Sequence, residues 1–255
     1  MAAHKKELVP RLAIIGGTGL AALTGLQITH REVVNTPFGP PSGPLLHGLL
    51  FGKPAVFLAR HGYSHTIPPH MINYRANLWA LKYLGVRDVI AIAAVGGINP
   101  AIDPERLAIP DQIIDYTSGR AHTFFERELS HVTHIDFSYP YCESLRAVLI
   151  QAAREAQLDV YESGTYGATQ GPRLETAAEI DRMARDGCDV VGMTGMPEAA
   201  LARELELCYA TCAVCANWAA GRSTTEITLA QIRRTLDQGM KKVERLLEAV
   251  IRIWG

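Results

Sequence analysis

Short apolar runs alternating with longer amphipathic stretches constrain this chain more than any other feature. Seven runs read as strands: LAII (12–15), AVFLA (55–59), VIAIAAV (89–95), DQIIDY (111–116), GTYGAT (164–169), DVVGM (189–193) and LCYATCAVCA (207–216). Between them, INYRANLWALKYLG (72–85), CESLRAVLIQAAREA (142–156), ETAAEIDRMARDG (175–187) and PEAALARELE (197–206) repeat apolar residues at helical spacing. Gly85 and Gly187 supply the usual helix stop. The stretch 227–253 carries Ile232, Leu236, Val243, Leu246, Leu247, Val250 and Ile251, the stripe of one long amphipathic helix. This alternation predicts an α/β fold, a mixed central β-sheet flanked by helices. No linker, repeat or low-complexity segment interrupts the 255 residues, so 1–255 is expected to form a single domain.

Composition narrows the function classes. Hydrophobic residues make up 48% and charged residues 20%, which supports a large core rather than disorder. The formal net charge is -1 with Lys and Arg scattered, so nothing favours nucleic acid or a membrane surface as partner. MAAHKKELVP has no apolar stretch behind its charges and does not read as a secretory signal, and VIAIAAV is far too short to span a bilayer. A cytoplasmic location is therefore expected. The five cysteines, Cys142, Cys188, Cys208, Cys212 and Cys215, are then expected as reduced thiols. Cys212 and Cys215 invite a metal or redox reading, but residues i and i+3 of a strand point to opposite faces. Buried, inert thiols and no metal are the expectation.

Candidate binding groups gather just after the strands, where α/β sheets place ligands. Gly16-Gly17-Thr18-Gly19-Leu20 follows LAII; it is neither a dinucleotide fingerprint nor a P-loop. Its amides and the Thr18 hydroxyl suit phosphate oxygens, although a tight strand-to-helix turn would look the same. Arg60-His61-Gly62 follows AVFLA and sets a guanidinium fork beside an imidazole, which suits a tetrahedral dianion; a surface Arg-His pair would read alike. Gly96-Gly97 follows VIAIAAV and Thr194 follows DVVGM. Four strand ends thus offer hydroxyl, guanidinium, imidazole and bare amides to one small anion, with phosphate the natural candidate.

These segments carry a resemblance. GGTGL (16–20), NTPFGPPSG (35–43), ARHGYSHTIPPHMINYRANLWAL (59–81), GPRLETAAEI (171–180) and GMTGMPEAALARE (192–204) resemble the trimeric nucleoside phosphorylases, and among them the 5'-methylthioadenosine phosphorylase branch. The match runs in order through nearly the whole chain. It implies reversible phosphorolysis, in which phosphate attacks C1' of the ribose and the purine leaves. Inorganic phosphate is then a co-substrate and no cofactor is needed. By the resemblance, Thr18, Arg60, His61, the backbone near Ala94, and Thr194 hold phosphate, and Met193 lies under the ribose. The bond breaks toward an oxocarbenium-like cation, which the phosphate dianion stabilises while it waits as nucleophile. Catalysis then depends on what faces the purine edge.

At that edge the chain departs from the branch it resembles. The branch usually carries two aspartates at the strand end matched by Asn217-Trp218-Ala219; here they are Asn217 and Ala219. Glu175 stands where that branch has a small hydroxyl residue, whereas the phosphorylases of 6-oxopurine nucleosides pair a glutamate with an asparagine. The hydrogen-bond inventory agrees. An ionised Glu175 only accepts and suits N1–H of hypoxanthine, while Asn217 can donate to O6 and accept from N7–H. Adenine reverses both groups at that edge, at about 1–3 kcal/mol per mismatched contact. A helix-terminal acid and a turn-forming Asn are the plain alternatives for Glu175 and Asn217.

Ordinary nucleoside phosphorylases place a histidine of the last helix near the 5'-hydroxyl, but residues 135–255 contain none. EITLAQIRRTL (226–236) offers Leu229 and Ile232 instead, expected on a shared apolar face that suits a methylthio group or is simply core. The resemblance implies that His134 and its neighbours reach a neighbouring subunit's 5' pocket, and hence a homotrimer. Leu174 replaces a phenylalanine that commonly packs on the purine. The expected reaction is phosphorolysis of 5'-deoxy-5'-methylthioinosine to hypoxanthine and 5-methylthioribose 1-phosphate. Phosphorolysis of methylthioadenosine or of inosine and guanosine, and non-catalytic nucleotide sensing, remain the alternatives.

Overall fold

VIAIAAV is buried on both faces, as a central strand of a sheet covered by helices must be. In the computed structural model, which describes residues 11–18, 23, 25–126, 131–224 and 227–254, it forms β5 (Asp88–Gly97). β5 pairs in parallel with β1 (Leu12–Gly16) and along its whole length with β11 (Cys208–Trp218). At Gly96 and Gly97 it pairs antiparallel with β10 (Val190–Gly192). A strand has two edges. Because β11 fills one of them, β1 and β10 share the other in succession.

The sheet is completed on one side by β4 (Lys53–Ala59), β3 (Leu45–Leu50) and β2 (Leu26–Glu32), in the order β2-β3-β4-β1-β5. On the other side β9 (Thr165–Ala168) and β7 (Gln112–Asp115) follow β10. Two short strands, β6 (Leu107–Ala108) and β8 (Val160–Tyr161), extend it from β11. Parallel and antiparallel pairs are interleaved, so the sheet is mixed. One face packs α2 (Glu143–Glu155) and α5 (Leu229–Ile253) through Leu149, Leu236, Val243 and Leu247. The opposite face packs α1 (Tyr74–Tyr83) and α4 (Gly195–Glu204) through Leu78, Leu81, Ala199 and Leu201. α3 (Ala177–Arg185) closes a smaller cluster through Ile180 and Met183.

All seven expected strands and five expected helices form. Gly85 and Gly187 follow α1 and α3 with φ of 82° and 90°, the left-handed conformation that ends a helix. Four strands had no legible signal, and β2 and β3 are the long ones. β2 is largely exposed and polar, and β3 is interrupted by His47-Gly48, so neither reads as an apolar run. Among the described residues no helix is long and apolar enough to cross a membrane.

The cysteine expectation needs one correction. Cys212 and Cys215 are buried thiols on opposite faces of β11, and burial pushes each up to about 12, so they are inert as expected. Cys142 and Cys208 instead form a disulfide. The Cys142 N–H donates to Tyr209 O at 2.8 Å, which pins the start of α2 against the start of β11 and sets the two Cα atoms 5.1 Å apart. Sixty-six residues separate the pair in sequence, so no local spacing announces it.

Candidate active site

Beyond Ala91, β5 leaves β1, and β10 does not join it until Gly96. Residues 93–95 therefore have an open backbone edge on that side, and a cavity of about 800 Å³ including its mouth opens there. That volume suits a nucleoside and an anion together. Gly17 lets the β1 end approach: a Cβ there would lie 2.6 Å from Ile92 O and 2.9 Å from Arg60 Nη1.

The expected anion groups, Thr18, Arg60, His61, Ala94 and Thr194, all line this cavity. Arg60 is nearly fully buried, but its fork is not free. Its Nε and Nη2 donate to the two carboxylate oxygens of Glu198, at 2.6 and 2.8 Å, and Nη1 donates to Ile92 O at 2.9 Å. One N–H on each terminal nitrogen is left over for a ligand. Burial alone would lower the guanidinium's pKa; the Glu198 charge and hydrogen bonds outweigh it and hold the group above its ordinary value. Glu198 also accepts from Tyr209 Oη at 2.8 Å. This buried carboxylate was missed in the sequence, where it reads as one acid in the first turn of α4.

His61 bonds Ile67 O through Nδ1 at 2.8 Å, and a carbonyl only accepts, so Nδ1 carries the proton. Burial, and then the charge of Arg60, lowers His61 to about 4. At neutral pH its Nε2 is an acceptor, suited to a protonated phosphate oxygen. Thr18 Oγ1 lies 3.1 Å from His65 Nε2, a second contact that sequence reading did not single out. Gly19 and Leu20 of the same turn lie outside the described residues, as does Glu226 ahead of α5. Thr194 precedes α4, and its hydroxyl makes no capping bond to that helix.

The purine-edge candidates, Glu175 and Asn217, and the small Ala219 line the same cavity. Glu175 lies just outside α3, whose N-terminus is capped by Thr176 and Glu179 in a reciprocal box. Glu175 is thus spared capping work, and its Oε1 accepts from the buried Thr169 hydroxyl at 2.7 Å. Asn217 owes its direction to a bulge. Cys215 faces Val95 and Asn217 faces Gly96, so Ala216 is the extra residue, and such bulges re-aim the side chains beside them. Asn217 Nδ2 donates to Trp218 O at 2.7 Å, which fixes the amide and leaves Oδ1 and one N–H for a ligand.

Met193, Leu174 and Ile232 also line the cavity, where Ile227 and Pro69 add apolar wall that sequence reading missed. Leu229 does not: it starts α5 and is 73% exposed, so the expected Leu229–Ile232 face is split at the first turn of the helix. His134 is exposed and lines no part of the cavity within one protomer. A further residue without a legible signal is Arg120. Buried, it donates to the carbonyls of Thr169, Gln170, Met193 and Met196, so one guanidinium ties together the two loops that carry Glu175 and Thr194.

A mixed sheet that opens a nucleoside-sized cavity beside a buried arginine defines a class. The family model of the phosphorylase superfamily matches residues 11–252, and the chain belongs to that superfamily. It is 55% identical over 239 residues to a probable S-methyl-5'-thioinosine phosphorylase of Pseudomonas syringae pv. tomato, covering 94% of this chain and 97% of that one. It is 46% identical over 248 residues to a 6-oxopurine nucleoside phosphorylase of Pyrococcus furiosus, covering 95% and 92%. In structure it resembles a methylthioadenosine phosphorylase from Schistosoma mansoni solved with adenine, with a TM-score of 0.91, 33% identity and coverage of 96% and 92%.

Proposed function

We propose that this protein catalyses phosphorolysis of S-methyl-5'-thioinosine to hypoxanthine and 5-methylthioribose 1-phosphate. The observation that carries this reading is the pairing of Glu175 with Asn217 across one cavity that has no carboxylate at Ala219. Glu175 accepts N1–H, while Asn217 accepts N7–H through Oδ1 and donates its remaining N–H to O6. Thr18, Arg60, His61, the Ala94 backbone and Thr194 bind phosphate, and Met193 supports the ribose. Ile232 forms the apolar 5' wall with Ile227. The relatives named for methylthioinosine and 6-oxopurine nucleosides support this base preference.

Methylthioadenosine phosphorolysis is the second reading, favoured by the Schistosoma neighbour in complex with adenine. The exposed His134 fits a homotrimer in which it meets a neighbouring subunit's 5' pocket. A cytoplasmic enzyme with phosphate as co-substrate and no cofactor completes the reading. Steady-state kcat/KM for methylthioinosine, methylthioadenosine and inosine, each with phosphate, tests it. A preference for methylthioadenosine would overturn the base assignment, and a preference for inosine the 5' assignment.

A further inference from the structure

Far from the cavity, at the edge of the sheet, β2 carries His30 and Glu32 two residues apart on one face, and β3 places His47 directly opposite His30. A bulge creates this register. Ile28 faces Gly48 and His30 faces His47, so Thr29 is the extra residue. Gly48 permits the close approach, since a Cβ there would lie 2.4 Å from Gln27 O. The two imidazoles stack with centroids 4.3 Å apart, and His47 Nε2 lies 2.9 Å from Glu32 Oε2. One ligand atom from each of the three residues falls within 4.8 Å of the others.

The proton placement completes the pattern. Thr29 Oγ1 donates its single proton to His47 O at 3.2 Å, so in its 3.2 Å contact with His30 Nδ1 it must accept. Nδ1 of His30 therefore carries the hydrogen, and Nε2 presents its lone pair. An outer partner that fixes the tautomer of a ligating histidine is the usual support of a metal site. Three donors of imidazole and carboxylate type, with the remaining positions open to water, match a borderline divalent transition ion.

We propose that His30, Glu32 and His47 form a binding site for a divalent transition-metal ion such as zinc, separate from the active-site cavity. The ion takes the place of the His47–Glu32 contact, and the two imidazoles turn out of their near-parallel stack so that their in-plane lone pairs converge on it, with bonds of about 2.0–2.2 Å to nitrogen and oxygen. It cross-links β2 to β3, which otherwise end the sheet with a largely exposed strand.

The test uses the tag-free chain, stripped with chelator and titrated calorimetrically with zinc, as wild type, His30→Gln and Glu32→Gln. Neither residue lines the cavity, so phosphorolysis in metal-free buffer reports that each variant is folded. The expected result is one zinc per protomer in the wild type and binding weaker by about tenfold or more in each variant. Absence of zinc uptake by the wild type at millimolar zinc would overturn the site, leaving an ordinary His–Glu contact. Unchanged affinity in either variant would overturn it as well, because the metal would then sit on other groups.

Discussion

The buried Arg60–Glu198 pair makes the sharpest prediction, because one partner faces the proposed phosphate and the other does not line the cavity. Glu198→Gln keeps the side-chain volume and one acceptor oxygen, but it removes the charge and turns an NH2 group toward a guanidinium N–H. Breaking a buried pair from one side costs about 3–5 kcal/mol, since an uncompensated charge is left behind. For a domain of this size that corresponds to a fall in Tm of roughly 6–20 °C. Phosphate supplies the missing negative charge, so the deficit should shrink as phosphate saturates the site. The assay is denaturant or thermal unfolding of wild type and variant, in phosphate-free buffer and in saturating phosphate. An equal loss of stability in both buffers would show that Arg60 does not face bound phosphate. The companion double change Arg60→Met with Glu198→Leu removes both charges. It should recover stability to within about 1–2 kcal/mol of wild type, while kcat/KM for phosphate falls by about 10- to 100-fold or more. A stable double variant with intact phosphate dependence would remove Arg60 from the anion site.

Other consequences follow from the same geometry. Because His61 is lowered to about 4 from 6.5, the unfolded chain binds the extra proton first; stability is present above pH about 6.5 and declines as pH falls toward 4, and the His61 ring signal in NMR should not titrate between pH 6 and 8. Asn217→Asp should depress methylthioinosine kcat/KM by about 10- to 100-fold, since a carboxylate oxygen would face Trp218 O where Nδ2 now donates; adding Ala219→Asp and Glu175→Ser should move the preference toward methylthioadenosine, measured as the ratio of the two kcat/KM values. Thr169→Val keeps shape but removes the hydroxyl that holds Glu175, and should lower kcat/KM for methylthioinosine by about tenfold with little change in the phosphate KM. Reduction of Cys142–Cys208 opens a long loop and should cost about 4 kcal/mol by the chain-entropy model, read as a lower denaturation midpoint in reductant; equal midpoints would show that the bridge does not form in solution.

What was legible in the sequence and what was not divide along one physical line. Periodicity within a segment is local, so β5, β11 and the helices α1 to α5 could be read directly, and so could the position of Thr18, Arg60 and Thr194 just past strand ends; Asn217, expected just past β11, lies inside its last two residues. Pairing between segments is not local. Glu198 lies 138 residues from Arg60, and Arg120 acts only through carbonyls of distant loops, which no side-chain pattern announces. The bulge at Ala216 is hidden in an unbroken apolar run, yet it is what aims Asn217 at the cavity. The bulge at Thr29 is hidden too, in a polar strand with no periodic signal to break, and it brings His30 opposite His47. Leu229 and Ile232 show the converse error. Helical spacing put them on one face, but spacing carries no information about where a helix begins, and Leu229 is its first residue. The proposed function therefore rests on residues whose identity was readable and whose direction was not. Asn217 reads a purine edge only because one extra residue in β11 and one carbonyl at Trp218 hold its amide there. Deleting Ala216 would leave every candidate residue in the chain and still turn that amide away from the cavity.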